Sequence, residues 1–94
     1  MPVDPIGLGA MATPPAATTN GTPLVLPPGT TGVRLYFATG ASLTYTVAHD
    51  QPAAPPAAVF TIAATAPVTL DEPLANGQQI FITSLTGTIT YRAL

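Results

Sequence analysis

The stretch 78–94, QQIFITSLTGTITYRAL, decides the fold class. Ile80 and Ile82 alternate with Gln79, Phe81 and Thr83. Beyond Leu85, Thr86 and Gly87, the residues Ile89, Tyr91 and Ala93 alternate with Thr88, Thr90 and Arg92. A period of two in β-branched and aromatic residues marks a strand with one face buried, and a glycine between two such runs marks a turn. The segment is therefore expected to be a hairpin of two strands around a tight turn.

The same pattern recurs towards the N-terminus. Asn76-Gly77 suits a type I′ or related hairpin turn into the C-terminal pair. Residues 71–76, with Asp71 and Glu72 before Pro73, are expected to form a turn region. Residues 67–70 add Val68 and Leu70, and residues 58–64 carry Phe60 and Ile62 on one face. The segment 49–57, HDQPAAPPA, contains prolines that cannot donate to a ladder. It is expected to be an exposed loop, stiffened locally towards polyproline II.

Residues 42–48 put Leu43, Tyr45 and Val47 inward, with Thr44 and Thr46 outward. Residues 32–37, GVRLYF, put Val33, Leu35 and Phe37 on one side, with Arg34 and Tyr36 on the other. With Thr39-Gly40 between them, these two strands are expected to pair as an antiparallel hairpin. Leu24-Val25-Leu26 is a short first strand, stopped by Pro27-Pro28-Gly29. No segment combines a helical period with helix-forming composition; 53–58 is alanine-rich but contains Pro55 and Pro56. About six or seven short strands with regular turn signals predict an all-β chain, a small antiparallel β-sandwich or barrel.

Two regions follow: an N-terminal segment 1–23 and a β domain 24–94. The first is broken by Pro2, Pro5, Pro14, Pro15 and Pro23 and loosened by Gly7, Gly9 and Gly21, so neither a helix nor a central strand fits it. Two readings stand. One is a solvated tail. The other is an extended arm whose Ile6, Leu8 and Met11 anchor in a neighbouring subunit's groove, as in strand addition. Bulky apolar residues favour the arm, since solvated tails are richer in charge.

Composition narrows the partners. Charged residues are 6% of the 94 and hydrophobic residues 47%. A free-standing surface is ordinarily about a quarter to a third charged. The 24–94 region is also small enough that one core supplies only on the order of 3–5 kcal/mol net. With no cysteine to form disulfides, oligomerisation is the remaining common staple. Low charge and a small core both point to an assembly.

Net charge is −2, and the only cations are Arg34 and Arg92. Two arginines cannot neutralise a run of phosphates, so nucleic-acid binding is not expected, and neither is an anionic membrane surface. Pro, Gly or polar residues interrupt every apolar run well short of the roughly 18 residues a membrane helix needs. The N-terminus has no basic region ahead of its short apolar stretch, so no signal peptide is expected, which implies an intracellular product or one released by lysis.

Catalytic signals are weak. The only histidine, His49, borders the proline-rich loop, and neither Ser42 nor Ser84 sits in a nucleophile-elbow motif. Adjacent carboxylates on a strand point to opposite faces, so Asp71 and Glu72 do not make an acid–base dyad. His49 with Asp50 falls short of a zinc site, and Gly7-Leu8-Gly9 lacks the third glycine of a dinucleotide loop. The expectation is a non-enzyme with no cofactor and no metal. Tyr36, Tyr45 and Tyr91 read as strand aromatics packed on cross-strand neighbours, ahead of the alternative that they line a carbohydrate groove. Arg34 and Tyr36 share an outward face, and Arg92 is a candidate third member. Tyr and Arg are favoured interface anchors, so this patch is the candidate globular contact.

Residues 42–50 (SLTYTVAHD), the Ala/Pro-rich connection after them, and 74–94 (LANGQQIFITSLTGTITYRAL) resemble small all-β virion proteins of tailed phages, of the capsid decoration or auxiliary type. Low charge, threonine-rich strands, absence of cysteine and an irregular N-terminal arm add to the likeness. The resemblance implies a structural role: a homo-oligomer, expected as a trimer, seated on the virion capsid exterior and reinforcing contacts between subunits of the major capsid protein. It brings no catalytic residues. A carbohydrate- or surface-binding β-sandwich module and a tail or neck component are the alternatives.

Overall fold

A computed structural model describes residues 10–57 and 59–94. Within them the chain is all-β: β1 (Thr22–Pro23), β2 (Gly32–Phe37), β3 (Ser42–Ala48), β4 (Phe60–Ala63), β5 (Val68–Pro73), β6 (Gln79–Thr86) and β7 (Ile89–Ala93). They form two antiparallel sheets, one of four strands in the order β1-β6-β3-β4 and one of three in the order β5-β2-β7. The sheets pack face to face as a β-sandwich. Four strands contribute inward rows: Val33, Leu35 and Phe37 from β2, Leu43 and Tyr45 from β3, Ile80 and Ile82 from β6, and Ile89 and Tyr91 from β7, all buried. Each such side chain contributes about 1.5–3 kcal/mol on full burial, which is what holds so short a chain together.

Both expected hairpins turn out to be arches. β6 lies in the four-stranded sheet and β7 in the three-stranded one, so residues 78–94 cross the core instead of folding back on themselves. β2 and β3 likewise sit in opposite sheets. Alternation sets which face of a strand is apolar, but not the strand it pairs with. In a sandwich, two successive strands bury both apolar rows by facing one another across the core. The two arches stack at one end. The Ala38 amide donates to the Thr88 carbonyl at 3.1 Å, and the Gly40 amide to the Ala64 carbonyl at 2.8 Å. Gly87 sits at the corner with φ of 79°, where an added Cβ would lie 2.8 Å from the Ala41 Cα. The Asn76-Gly77 turn also crosses between sheets, from β5 to β6, and is not a hairpin turn.

Three further expectations shift. The strand at Leu24–Leu26 moves forward to Thr22–Pro23, opposite Ile82 and Phe81, and Leu24 adds one last bond to the Ile80 carbonyl at 3.0 Å. Pro23 is tolerated there because β1 is an edge strand. Asp71, Glu72 and Pro73, expected in a turn, complete β5. Leu85 and Thr86, expected in the turn, belong to β6, because a bulge at Thr83 breaks the alternation. Thr44 pairs with Ser84 while Tyr45 pairs with Ile82. The extra residue brings Leu85 opposite Leu43, so that Ile80, Ile82 and Leu85 share the inner face. The Thr83 hydroxyl donates to the Thr44 carbonyl at 3.1 Å across the irregularity.

The segment 10–21 lies along its own domain. Ala12 exchanges two backbone bonds with Tyr91, at 2.9 and 3.0 Å, and the Thr18 amide donates to the Ile82 carbonyl. Pro14 is buried. Phe81, on the outer side of β6, is buried as well. Gly21 packs so closely on it that an added Cβ would fall 2.6 Å from the Phe81 Cβ. The Gln51 side chain ties the proline-rich loop to the Gly21 carbonyl over the same spot.

Candidate functional site

The outer face of the three-stranded sheet carries both arginines of the chain. β2 turns its hydrophobic row into the core, so Arg34 and Tyr36 must face out. The ladder then sets their neighbours. Arg34 lies between Asp71 on β5 and Arg92 on β7, and Tyr36 between Thr69 and Thr90. The result is two cross-strand rows, Asp71–Arg34–Arg92 and Thr69–Tyr36–Thr90.

Arg34 grips Asp71 with both arms of the guanidinium, Nε to Oδ1 at 2.7 Å and a terminal nitrogen to Oδ2 at 3.0 Å. This fork-on-carboxylate geometry holds Asp71 below its ordinary carboxyl value, chiefly through the hydrogen bond and against a smaller opposing effect of burial. The Arg34 guanidinium is pushed up by the same bond. The pair is open to water, with side chains 33% and 51% exposed, so it positions Arg34 more than it stabilises the fold. Arg92 is different. Its Nε is buried and has no hydrogen-bond partner among the described residues. Both cations of the chain thus sit opposite one another on adjacent strands, and Asp71 feels both charges, that of Arg34 the more strongly.

The structure brings Arg34, Tyr36 and Arg92 onto one face. Met11 is 52% exposed and precedes Ala12, whose antiparallel bridge to Tyr91 sets Met11 at the register of Arg92. Ile6 and Leu8 lie outside the described residues. Thr69, Asp71 and Thr90 complete the face and were not singled out from sequence. The continuing alternation of Val68, Leu70 and Glu72 against Thr69 and Asp71 was the available signal.

The tyrosines separate sharply. Tyr45 and Tyr91 are core residues, with hydroxyls donating to Glu72 and to the Val25 carbonyl, the latter at 2.9 Å. Only Tyr36 presents its ring at the surface, so the three do not line one groove. His49 points its Nε2 at the Asn76 carbonyl, 3.1 Å away. Ser84 pairs with Thr44, at the far end of the β3–β6 ladder from His49. An open cleft of about 520 Å³ separates the loops around Leu26 and Asn76 and contains no ionisable side chain. Among the described residues no cluster of metal-ligating side chains occurs, and no helix is long and apolar enough to cross a membrane. Comparison with family models, curated proteins and solved structures returns no match for this chain.

Proposed function

We propose that this chain is a structural protein of a tailed-phage virion, a capsid decoration protein that docks on the major capsid protein through the outer face of its three-stranded sheet. The observation that carries this reading is the side-by-side placement of its two cations, Arg34 and Arg92, next to Tyr36. Like charges directly opposite one another weaken a ladder, and a buried guanidinium nitrogen without a partner costs more. A carboxylate supplied by a partner offsets the like charges. Arg and Tyr at the centre of a face are also the residue types that anchor protein interfaces.

The β-sandwich, the absence of cysteine and the 6% charge are those of the family the sequence resembles. Ile6, Leu8 and Met11 supply apolar anchors ahead of the point where Ala12 joins β7. The test uses virions and capsids of the phage whose genome encodes the chain. Labelled protein is expected on the capsid shell, and Arg92→Ala and Tyr36→Ala are each expected to lower occupancy in co-sedimentation about tenfold or more, the scale of a hot-spot residue. Label confined to the tail, protein absent from virions, or unchanged binding by both variants would sink the proposal.

A further inference from the structure

Four strands close the sides of the two sheets, and the chain guards three of them. β7 is bridged by Ala12. β1 is two residues long and ends in Pro23. β5 carries Asp71 and Glu72 and ends in Pro73. Short strands, charges, prolines and covering segments are the usual protections of a free edge. Among the described residues β4 has none of them except brevity. Its residues Phe60–Ala63 are uncharged and free of proline, within a run without ionisable side chains from Gln51 to Leu70.

The backbone of this edge is directed outward. The Ala64 amide donates to the Ala41 carbonyl and the Ala64 carbonyl accepts from Gly40, both at 2.8 Å, so Ala64 turns towards β3. Alternation along an antiparallel ladder then turns Phe60 and Ile62 towards β3 and aims the N–H and C=O of Thr61 and Ala63 away from it. The apolar side is open too. Phe60 lies on the inner face against Tyr45, with ring centroids 5.5 Å apart, yet remains 55% exposed, and Val59 before it is 41% exposed.

We infer that β4 pairs antiparallel with β4 of a second copy of this chain, across a two-fold axis at Thr61. Charge selects this occupant. A two-fold contact sets the residue on the axis against its own image and the residues either side of it against one another, so a self-pairing edge must carry no like charges at those positions. β5 fails that condition about its acidic half, where Asp71 and Glu72 would be set against one another. β4 meets it and offers no charge for a different partner to read. In this register Thr61 faces Thr61 of the second copy and Phe60 covers Ile62 of the second copy. The four-stranded sheets join into one continuous sheet. The contact leaves the Arg34–Tyr36–Arg92 face untouched and stands whether or not that face binds a capsid. It also implies a two-fold assembly where the family resemblance implies a three-fold one.

The experiment uses the full chain alone, by sedimentation velocity over a concentration series with circular dichroism as the folding control. A dimer is expected. Thr61→Lys and Thr61→Glu each put like charges across the axis and are expected to weaken dimerisation about tenfold or more; mixing the two variants is expected to restore it. Hydrogen exchange on the unmodified chain reads the same edge without substitution, with Thr61 and Ala63 amides protected in the dimer and exchanging on dilution. A chain that stays monomeric or forms trimers overturns the inference. So do folded variants that dimerise like the parent, a mixture that does not restore the dimer, or edge amides that exchange freely at every concentration, which leaves β4 open to a strand of another protein.

Discussion

The Tyr45 hydroxyl on β3 donates a hydrogen bond to the Glu72 carboxylate on β5, so a side chain from each sheet meets its counterpart between the layers. A hydrogen bond to a charged group is worth about 1.5–3 kcal/mol, and Tyr45→Phe is expected to lose about that much in urea unfolding. A loss below half a kcal/mol would show that the contact does not clamp the sheets.

The same burial raises the Tyr45 phenol well above its ordinary value, helped by the bond to Glu72, and burial also raises Tyr91. Because the folded values exceed the unfolded value of 10.0, the folded state holds these protons longer. Their contribution is fully present below pH of about 10 and declines as pH rises above it. Unfolding free energy is expected to fall as pH rises above about 10 in the parent, the ordinary value of the unfolded phenol, and to fall less steeply in Tyr45→Phe. Parallel slopes in the two proteins would refute the assignment.

Asp71 titrates in the opposite direction. Its folded value is depressed by Arg34, so its contribution is present above the ordinary carboxyl value of 3.8 and fades as pH falls through the folded value. Carboxyl carbon NMR is expected to place its midpoint below 3.8, and Arg34→Ala to return it to the ordinary range. An unmoved midpoint would mean that the fork is not populated in solution.

Gly87 and Gly29 share a left-handed backbone, with φ of 79° and 85°, but only Gly87 is crowded, by Ala41. Alanine at either position strains the backbone by about 1–3 kcal/mol, and at position 87 it adds an overpacking cost of similar size. Gly87→Ala is therefore expected to lower the melting temperature clearly more than Gly29→Ala. Equal effects would mean that the arch corner is not packed as described.

Ala12→Pro removes the amide that donates to Tyr91. The expected loss is about 1–3 kcal/mol, with faster exchange of the Tyr91 amide. An unperturbed protein would show that the segment 10–21 does not dock on its own domain in solution.

Much of the layout was legible from single strands. The faces of β2 and β7 followed from alternation, which put Arg34 and Tyr36 on one side and made Arg92 a candidate beside them; the β2–β7 ladder is what sets Arg92 opposite Arg34. Asp71 was missed because Asp-Glu-Pro resembles a turn, although an edge strand accepts all three residues. Phe81 broke the two-faced pattern because a remote segment covers the outer side of β6, and local periodicity carries no trace of that cover. The bulge at Thr83 was equally hidden, since it exists only relative to β3.

The residues by themselves determined that the chain is all-β, where its strands fall to within a few positions, and which side of each is apolar, because these depend on the two-residue period of an extended backbone. Only the tertiary structure decided that residues 78–94 arch between sheets, that Tyr45 reaches Glu72, and that β4 is the unguarded edge. Pairing is chosen by whichever distant strand lets both apolar rows close on a common interior, and no stretch of chain records that choice alone.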